Sequence, residues 1–456
     1  MEHTTTAAMP AAATKLASRT RWGILAILFI VTTVNYADRA SISIAGPEIR
    51  KALGLSPVEM GFVFSAFAWS YVAAQLPGGW LLDRFGSKIT YFFSIFLWSL
   101  FTMLTGGVGF VTGGAAVATL FVLRFLVGAA EAPSFPGNSR ITSAWFPTHE
   151  RGLASALFNS AQYFATVLFA PIMGWLVHSF GWESVFIVMG GLGIALAFVW
   201  LKVIHGPKDH PSVSSSELKY IEEGGALVDL DGAKRSAQAP AIDTLACVKE
   251  LLGNRMLLGV YIGQYCINTL TYFFLTWFPV YLVQERHMTI LKAGFVASLP
   301  AIAGFLGGVV GGTISDRLAK AGFSLSMSRK VPIVCGMLLS MSMIACNYID
   351  TDAVVVAVMA LAFFGKGVGA LGWAVVADTS PKEAGGLSGA LFNTFGNIAG
   401  ITTPIVIGYI LQGTGSFAGA LVYVGANAAV TIFSYVFIVG EIKRVKLVKS
   451  LKVATA

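Results

Sequence analysis

Five ionisable residues stand in long apolar stretches, where charge is expensive. Asp38 and Arg39 lie between Trp22 and Ala45, Arg124 and Glu131 in a later stretch, and Lys366 deep in another. An ionised side chain at a bilayer centre costs at least ~2.5–3.5 kcal/mol, so such groups face a cavity and carry function. Guanidinium and ammonium groups can hold an organic anion, and carboxyl groups can take up and release protons. Arg124 and Glu131 are seven residues apart, two helical turns, and share one helix face. A buried pair that only packs helices is the alternative. Asp38 and Arg39 are adjacent, so they point about 100° apart and need different partners. Their alternative is an interfacial pair reaching for water.

The rest of the chain reads as the frame for these groups. Of its 456 residues 55% are hydrophobic and only 12% charged, and the mean hydropathy is +0.73. Soluble domains do not carry this balance. Apolar runs of about 20 residues, the length that crosses a bilayer, recur from end to end, and their backbone can be satisfied only as helix. Twelve spans are expected, at 22–45, 58–82, 89–110, 115–136, 152–177, 184–204, 256–284, 291–314, 330–349, 353–377, 385–412 and 417–440. Residues 1–20 read as a disordered tail, 206–255 as a linker and 442–456 as a basic tail. The linker separates six spans in 21–205 from six in 256–441. Ser214 and Glu217 form a capping-box pattern that starts a short linker helix.

The net charge of +8 is a topology signal, not a nucleic-acid one. Most Lys and Arg fall on one side of the spans; Arg50, Lys51, Arg286 and Lys292 fall on the other. The asymmetry places both termini in the cytoplasm. The first span follows basic residues but is too long and too charged for a signal peptide. Cys247, Cys266, Cys335 and Cys346 lack paired spacing and read as small apolar residues. The six His fall in loops or at span edges, so proton handling within the membrane rests on carboxylates. No nucleophile–His pair and no metal-ligand cluster points to an enzyme, and Gly367-x-Gly369-x-x-Gly372 follows no strand, which removes a dinucleotide reading.

The two halves share a signature. Gly79-Trp-Leu-Leu-Asp83-Arg84-Phe-Gly86-Ser-Lys88 follows the second span, and Gly312-Thr-Ile-Ser-Asp316-Arg317 follows the eighth. A polar signature at the same place in both halves is an internal repeat of the transporter kind.

Gly79 to Lys88 resembles the cytoplasmic signature of the major facilitator superfamily. Asn35-Tyr36-Ala-Asp38-Arg39, Phe64-Ser-Ala-Phe-Ala-Trp69, Leu123-Arg124-Phe-Leu-Val-Gly128 with Glu131-Ala-Pro133, and Thr276-Trp-Phe-Pro279 resemble its anion:cation symporter branch. Val260-Tyr-Ile-Gly-Gln264-Tyr-Cys-Ile-Asn268 and Phe363-Phe-Gly-Lys366-Gly resemble bacterial D-glucarate/galactarate transporters, whose galactonate relatives carry Asn at the Lys366 position.

The resemblance implies an all-α membrane protein of twelve transmembrane helices in two pseudo-symmetric six-helix bundles. It implies proton-coupled symport of a hexarate dianion into a bacterium, through the inner membrane, by a monomer. No cofactor beyond the coupling proton is expected, and a monocarboxylate such as galactonate, or a hexuronate, is the alternative substrate. Arg39 and Arg124 would hold the anion, Asp38 and Glu131 would carry protons, and Tyr36, Tyr71, Gln162, Gln264, Trp373 and Asn393 would meet the substrate. On sequence alone these last six read more often as helix glue than as ligands. Gly79, Asp83, Arg84, Gly86, Lys88, Asp316 and Arg317 would form the gate. If the halves are pseudo-symmetric, Lys366 faces Arg124 across the cavity and reads a second carboxylate. Its alternative is a pairing with an acid such as Asp378.

Overall fold

A computed structural model of the chain describes residues 18–111, 113–229, 244–381 and 384–447. The tail residues 1–17 and 448–456, and the linker centre 230–243, lie outside them.

The first half contains α1 (Thr20–Ile44), a short α2 (Gly46–Leu53), α3 (Pro57–Phe85), α4 (Ser87–Phe110), α5 (Gly114–Trp145), α6 (Arg151–Phe180) and α7 (Trp182–Val203). Two linker helices follow, α8 (Ser215–Glu223) and α9 (Thr244–Gly253). The second half contains α10 (Arg255–Gln284), α11 (Ile290–Lys320), α12 (Leu325–Tyr348), α13 (Asp352–Thr379), α14 (Gly385–Thr414) and α15 (Ala418–Ile438). Eleven of these helices are long and apolar enough to cross a membrane. The 29-residue α3 is not among the eleven.

Local chemistry sets the breaks. Ser56 and Glu59 form a complete capping box that opens α3, and Gly86, at φ +78°, lets the chain turn from α3 into α4. The signature from Gly79 is therefore helical through Phe85, with Gly86 as its turn residue. Two helices are interrupted just beyond their buried charges. Helix α5 breaks at Ala132–Pro133, after Glu131, and α13 breaks around Gly369, after Lys366.

Each half packs mainly on itself, and the halves meet chiefly through two helix pairs, α6 with α11 and α3 with α14, with smaller contacts of α1 and α2 on α10. These contacts need small residues. A Cβ on Gly61 of α3 would lie 2.6 Å from the Pro404 carbonyl of α14. Within the first half, a Cβ on Gly128 would lie 2.2 Å from the Phe67 carbonyl, so α5 can reach α3 only with glycine there.

The expected linker helix forms, but its capping box is half made. Ser214 accepts from the Glu217 amide at 3.2 Å. The Glu217 carboxylate instead accepts from the Ser18 hydroxyl, the Thr20 and Arg21 amides and the Arg21 guanidinium. Arg21 also holds Glu150 at 2.9 Å. These bonds fasten α8 to the first half, with the Thr148 amide donating to the Gly224 carbonyl.

Candidate transport site

Four of the five buried charges form one cluster inside the first half. Arg39 on α1 is ion-paired with Glu131 on α5, and Glu131 is completely buried. Three aromatic rings enclose the Arg39 guanidinium: Tyr36, Phe67 and Tyr71, at 4.8, 4.6 and 4.8 Å. Rings at this range stabilise a cation that water cannot reach. Arg124 donates to the backbone carbonyls of Asp38 and Arg39 at 3.3 and 3.4 Å. It thus fastens α5 to α1 from within the bundle, and it does not line the central cavity described below.

Asp38 points away from Arg39, as adjacency on a helix requires. It is fully buried, and neither carboxylate oxygen has a hydrogen-bond partner among the described residues. The Trp98 indole of α4 lies beside it, its own N–H likewise unpartnered. An ionised carboxylate left without a hydrogen bond is costly.

A cavity lies between the halves. Tyr36 of α1, Gln162 and Tyr163 of α6, Phe274 of α10, and Phe363 and Lys366 of α13 line it. The Lys366 ammonium sits 5.1 Å from the Phe363 ring centre and has no carboxylate partner among the described residues. Asp378 is engaged elsewhere, by Arg329 at 2.8 Å, so that pairing does not form. Lys366 occupies the last turn before the α13 break, where the helix dipole favours a cation.

The remaining expected residues fall into three groups. Tyr36 and Gln162 reach the cavity, and Tyr71 packs on Arg39. Asn393 of α14 donates to Gln75 of α3 at 3.1 Å, across the two halves, and Gln264 donates to Asn268 within α10. Trp373 is 56% exposed and packs edge-on against Phe392. Of the gate set, Asp83 accepts from Arg140 at 2.7 Å, Arg84 lies over Trp80, and Asp316 and Arg317 are exposed. A Cβ on Gly79 would meet nothing within 4 Å; its neighbour Gly78 makes the close approach, to Pro133, with a Cβ contact of 3.1 Å. Lys88 offers its carbonyl to the Trp200 indole.

Several polar residues of this region carry no charge to draw notice. Gln75 stands one turn beyond Tyr71, and Asn397 one turn beyond Asn393. Asn397 donates to the Asn393 side chain at 3.2 Å and accepts from Tyr272 at 2.9 Å. The spacing of four was the available signal for both.

Buried charges on discontinuous helices, around a cavity between two helical sets, define a multi-pass membrane transporter. Residues 28–328 match the Major Facilitator Superfamily profile. The chain belongs to the Major Facilitator Superfamily. It is 64% identical over 429 residues to the probable galactarate/D-glucarate transporter GudP of Bacillus subtilis (strain 168), covering 94% of both chains. It is 62% identical to the protein of that name from Escherichia coli (strain K12), covering 96% of this chain and 97% of that one. A D-galactonate transporter of Escherichia coli O6:H1 is 43% identical, at 94% and 97% coverage. Among solved structures, a D-xylose-proton symporter superposes with TM-score 0.70 at 13% identity, over 93% of this chain and 99% of that one. A bacterial homolog of the lysosomal transporter Spinster superposes at 0.67 and 17%, over 93% and 95%. These two likenesses bear on the fold alone.

Proposed function

We propose that the protein imports a hexarate dianion, D-glucarate or galactarate, together with protons, by alternating access. In this reading α3 is the second of twelve spans, both termini are cytoplasmic, as the distribution of Lys and Arg suggests, and the protein works as a monomer in a bacterial inner membrane. Residues 21–205 and 256–441 act as the two bundles, joined by the linker 206–255. The relatives' names supply the substrate class. The observation that carries the reading is the contrast between two cations: Arg39 is neutralised by Glu131, whereas Lys366 meets the cavity without a carboxylate of its own.

Protonation of Glu131 removes the charge that holds Arg39. A substrate carboxylate then takes the place of Glu131, and Lys366 holds the other end of the anion. Asp38 provides the second carboxyl within the membrane, beside Arg124 and Trp98. Tyr36 and Gln162 meet hydroxyl groups from the cavity wall. Release of anion and protons on the inner side restores the Arg39–Glu131 pair. The contacts of Asp83 with Arg140, and the matching Asp316–Arg317 segment, govern which side opens.

The test is uptake of labelled D-glucarate into liposomes holding the purified protein. Uptake requires an inward proton gradient and stops with a protonophore. Competition by galactarate, but weakly by galactonate and glucuronate, fits the dianion reading. Undiminished accumulation after the gradient collapses, without sodium, refutes proton coupling.

A further inference from the structure

Two of the side-chain hydrogen bonds that cross between the halves differ in their surroundings. Arg50 donates to Gln284 at 2.6 Å, at the end of the molecule opposite the linker. Asn393 donates to Gln75 at 3.1 Å, at the centre. The central bond continues in both directions. On the α14 side, Asn397 donates to Asn393 and accepts from Tyr272 of α10. On the α3 side, Gln75 stands one turn from Tyr71 on the same helix face. The Tyr71 ring also covers the Arg39 guanidinium at 4.8 Å. Arg39 in turn holds Glu131.

Neighbouring polar groups thus run from Glu131 through Arg39, Tyr71, Gln75, Asn393 and Asn397 to Tyr272, joined by a ring contact at Tyr71 and by hydrogen bonds from Gln75 onwards. We propose that Gln75 is a positioning residue, transmitting the state of the Arg39–Glu131 pair to the second half through its bond with Asn393. This inference rests on the proton-coupled reading given above.

The physical argument is one of matched donors and acceptors. The Gln75 carbonyl oxygen accepts from Asn393, which leaves its amide group to face Tyr71. An ion-paired Arg39 is fixed, and Tyr71 with it. When Glu131 is neutralised, Arg39 is free to move towards the substrate, and Tyr71 loses the cation beneath its ring. Gln75 must then find a new partner for its amide. Rotating it withdraws the carbonyl oxygen from the half-buried Asn393 amide, which then loses this acceptor. The bond therefore holds α3 to α14 in one charge state and weakens in the other. A two-state contact of this kind between two moving bodies is what coupling requires. The four-residue spacings keep each pair on one helix face.

The experiment compares two transport modes in proteoliposomes: gradient-driven accumulation of labelled D-glucarate, and glucarate exchange with no gradient. Gln75→Leu should lower accumulation by about tenfold or more while exchange stays within about twofold. Gln75→Glu keeps an acceptor oxygen and should restore most of the accumulation. The double variant Gln75→Leu, Asn393→Leu should be no worse than the more impaired single variant. Accumulation at the parent level in Gln75→Leu, or equal loss of both modes in a variant that melts like the parent, overturns the proposal. Exchange by the parent protein reports on the substrate reading separately, since it needs no intact coupling.

A second measurement needs no substrate. Melting temperatures of the parent, Gln75→Leu, Glu131→Gln and the double variant form a cycle. Residues linked through a shared network give non-additive shifts, typically equivalent to about 0.5 kcal/mol or more. Additive shifts overturn the link between Gln75 and Glu131.

Discussion

The guanidinium of Arg39 and the carboxylate of Glu131 come from different helices, separated by 92 residues, and meet in a site almost closed to solvent. One partner of such a pair cannot be charged alone without a heavy penalty, and breaking a buried pair by removing one member costs about 3–5 kcal/mol. In the proposed function the pair has two economical states: both members ionised, or Glu131 neutral and Arg39 matched to another anion.

Glu131→Gln should lock the second state. Gln has the shape of the protonated acid and leaves Arg39 open to substrate. Gradient-driven accumulation should fall by about tenfold or more, with exchange preserved. Parallel measurement of the two modes checks this; accumulation at the parent level would remove Glu131 from the coupling step.

Asp38→Asn should behave differently in stability. Both Asp38 oxygens are unpartnered among the described residues, so removing the charge leaves no ion-pair partner stranded. The variant should melt at or above the parent temperature and still lose accumulation. A large drop in melting temperature would show instead that Asp38 holds Arg124 or Trp98 in place by its charge.

Asp83→Asn should slow transport without weakening substrate binding. Asp83 is 44% exposed and lies against Arg140 on a helix end rather than at the cavity, so its change should act on motion between states. Exposed pairs contribute only about 0–1 kcal/mol to stability, so the fold should survive. Calorimetric binding of D-glucarate to the purified variant decides the matter. Binding lost with a normal melting curve would assign Asp83 to the site.

The docking of α8 should fail in acid. For both Glu217 and Glu150 burial acts to raise the pKa, but hydrogen bonds outweigh it and hold the group below the ordinary 4.5. Ser18, the Thr20 and Arg21 amides and the Arg21 guanidinium do this for Glu217, and Arg21 and Tyr220 for Glu150. A lowered folded value means that the stabilisation is complete above pH 4.5 and fades as pH falls through the lowered value. Amide exchange protection of Ser215–Glu223, corrected for intrinsic rates, should therefore drop below that pH. Glu217→Gln should lose about tenfold in protection at neutral pH. Protection in the parent that is flat down to the acid limit would contradict this.

The cost of buried charge made much of the site legible in the sequence. Asp38, Arg39, Arg124 and Glu131 gather in one cluster, but among their side chains only Arg39 and Glu131 pair directly. What Arg124 touches was less legible: it meets main-chain carbonyls of Asp38 and Arg39, and carbonyls leave no sequence signal. The Gln75–Asn393 bond spans 318 residues; Asn393 was expected to meet the substrate, whereas the uncharged Gln75 gave no signal beyond its spacing from Tyr71. The apolar runs located the helices but not all their ends. Helices α5 and α11 continue to Trp145 and Lys320, past the expected limits 136 and 314, because an apolar run marks the bilayer, whereas a polar helix can continue into water. The interruptions at Ala132–Pro133 and Gly369 were hidden for the converse reason, since their composition stays apolar.

In the proposed function Lys366 carries the choice of substrate. Its ammonium borders the cavity, only 7% exposed, and the one acid that sequence proximity offered, Asp378, belongs to Arg329. What supports the cation in this state is the end of its own helix segment and the Phe363 ring at 5.1 Å. Neither is as good a partner as a carboxylate, so an anion entering the cavity should gain more from Lys366 than from a neutral donor. The two acid groups of a hexarate lie roughly 6–7 Å apart by chain geometry. A single guanidinium cannot hold both ends; in the proposed reading Arg39 of α1 and Lys366 of α13, one from each half, share them. Removing one partner of a buried charge pair typically costs about 2–5 kcal/mol. Lys366→Asn should then weaken D-glucarate by at least about tenfold. It should spare galactonate, which has one carboxylate for Arg39 and a hydroxyl group that Asn can meet. Competition curves for both anions against labelled D-glucarate, on parent and variant, measure the difference. An equal loss for both would give Lys366 a role in folding or motion and remove the main physical argument for a dianion.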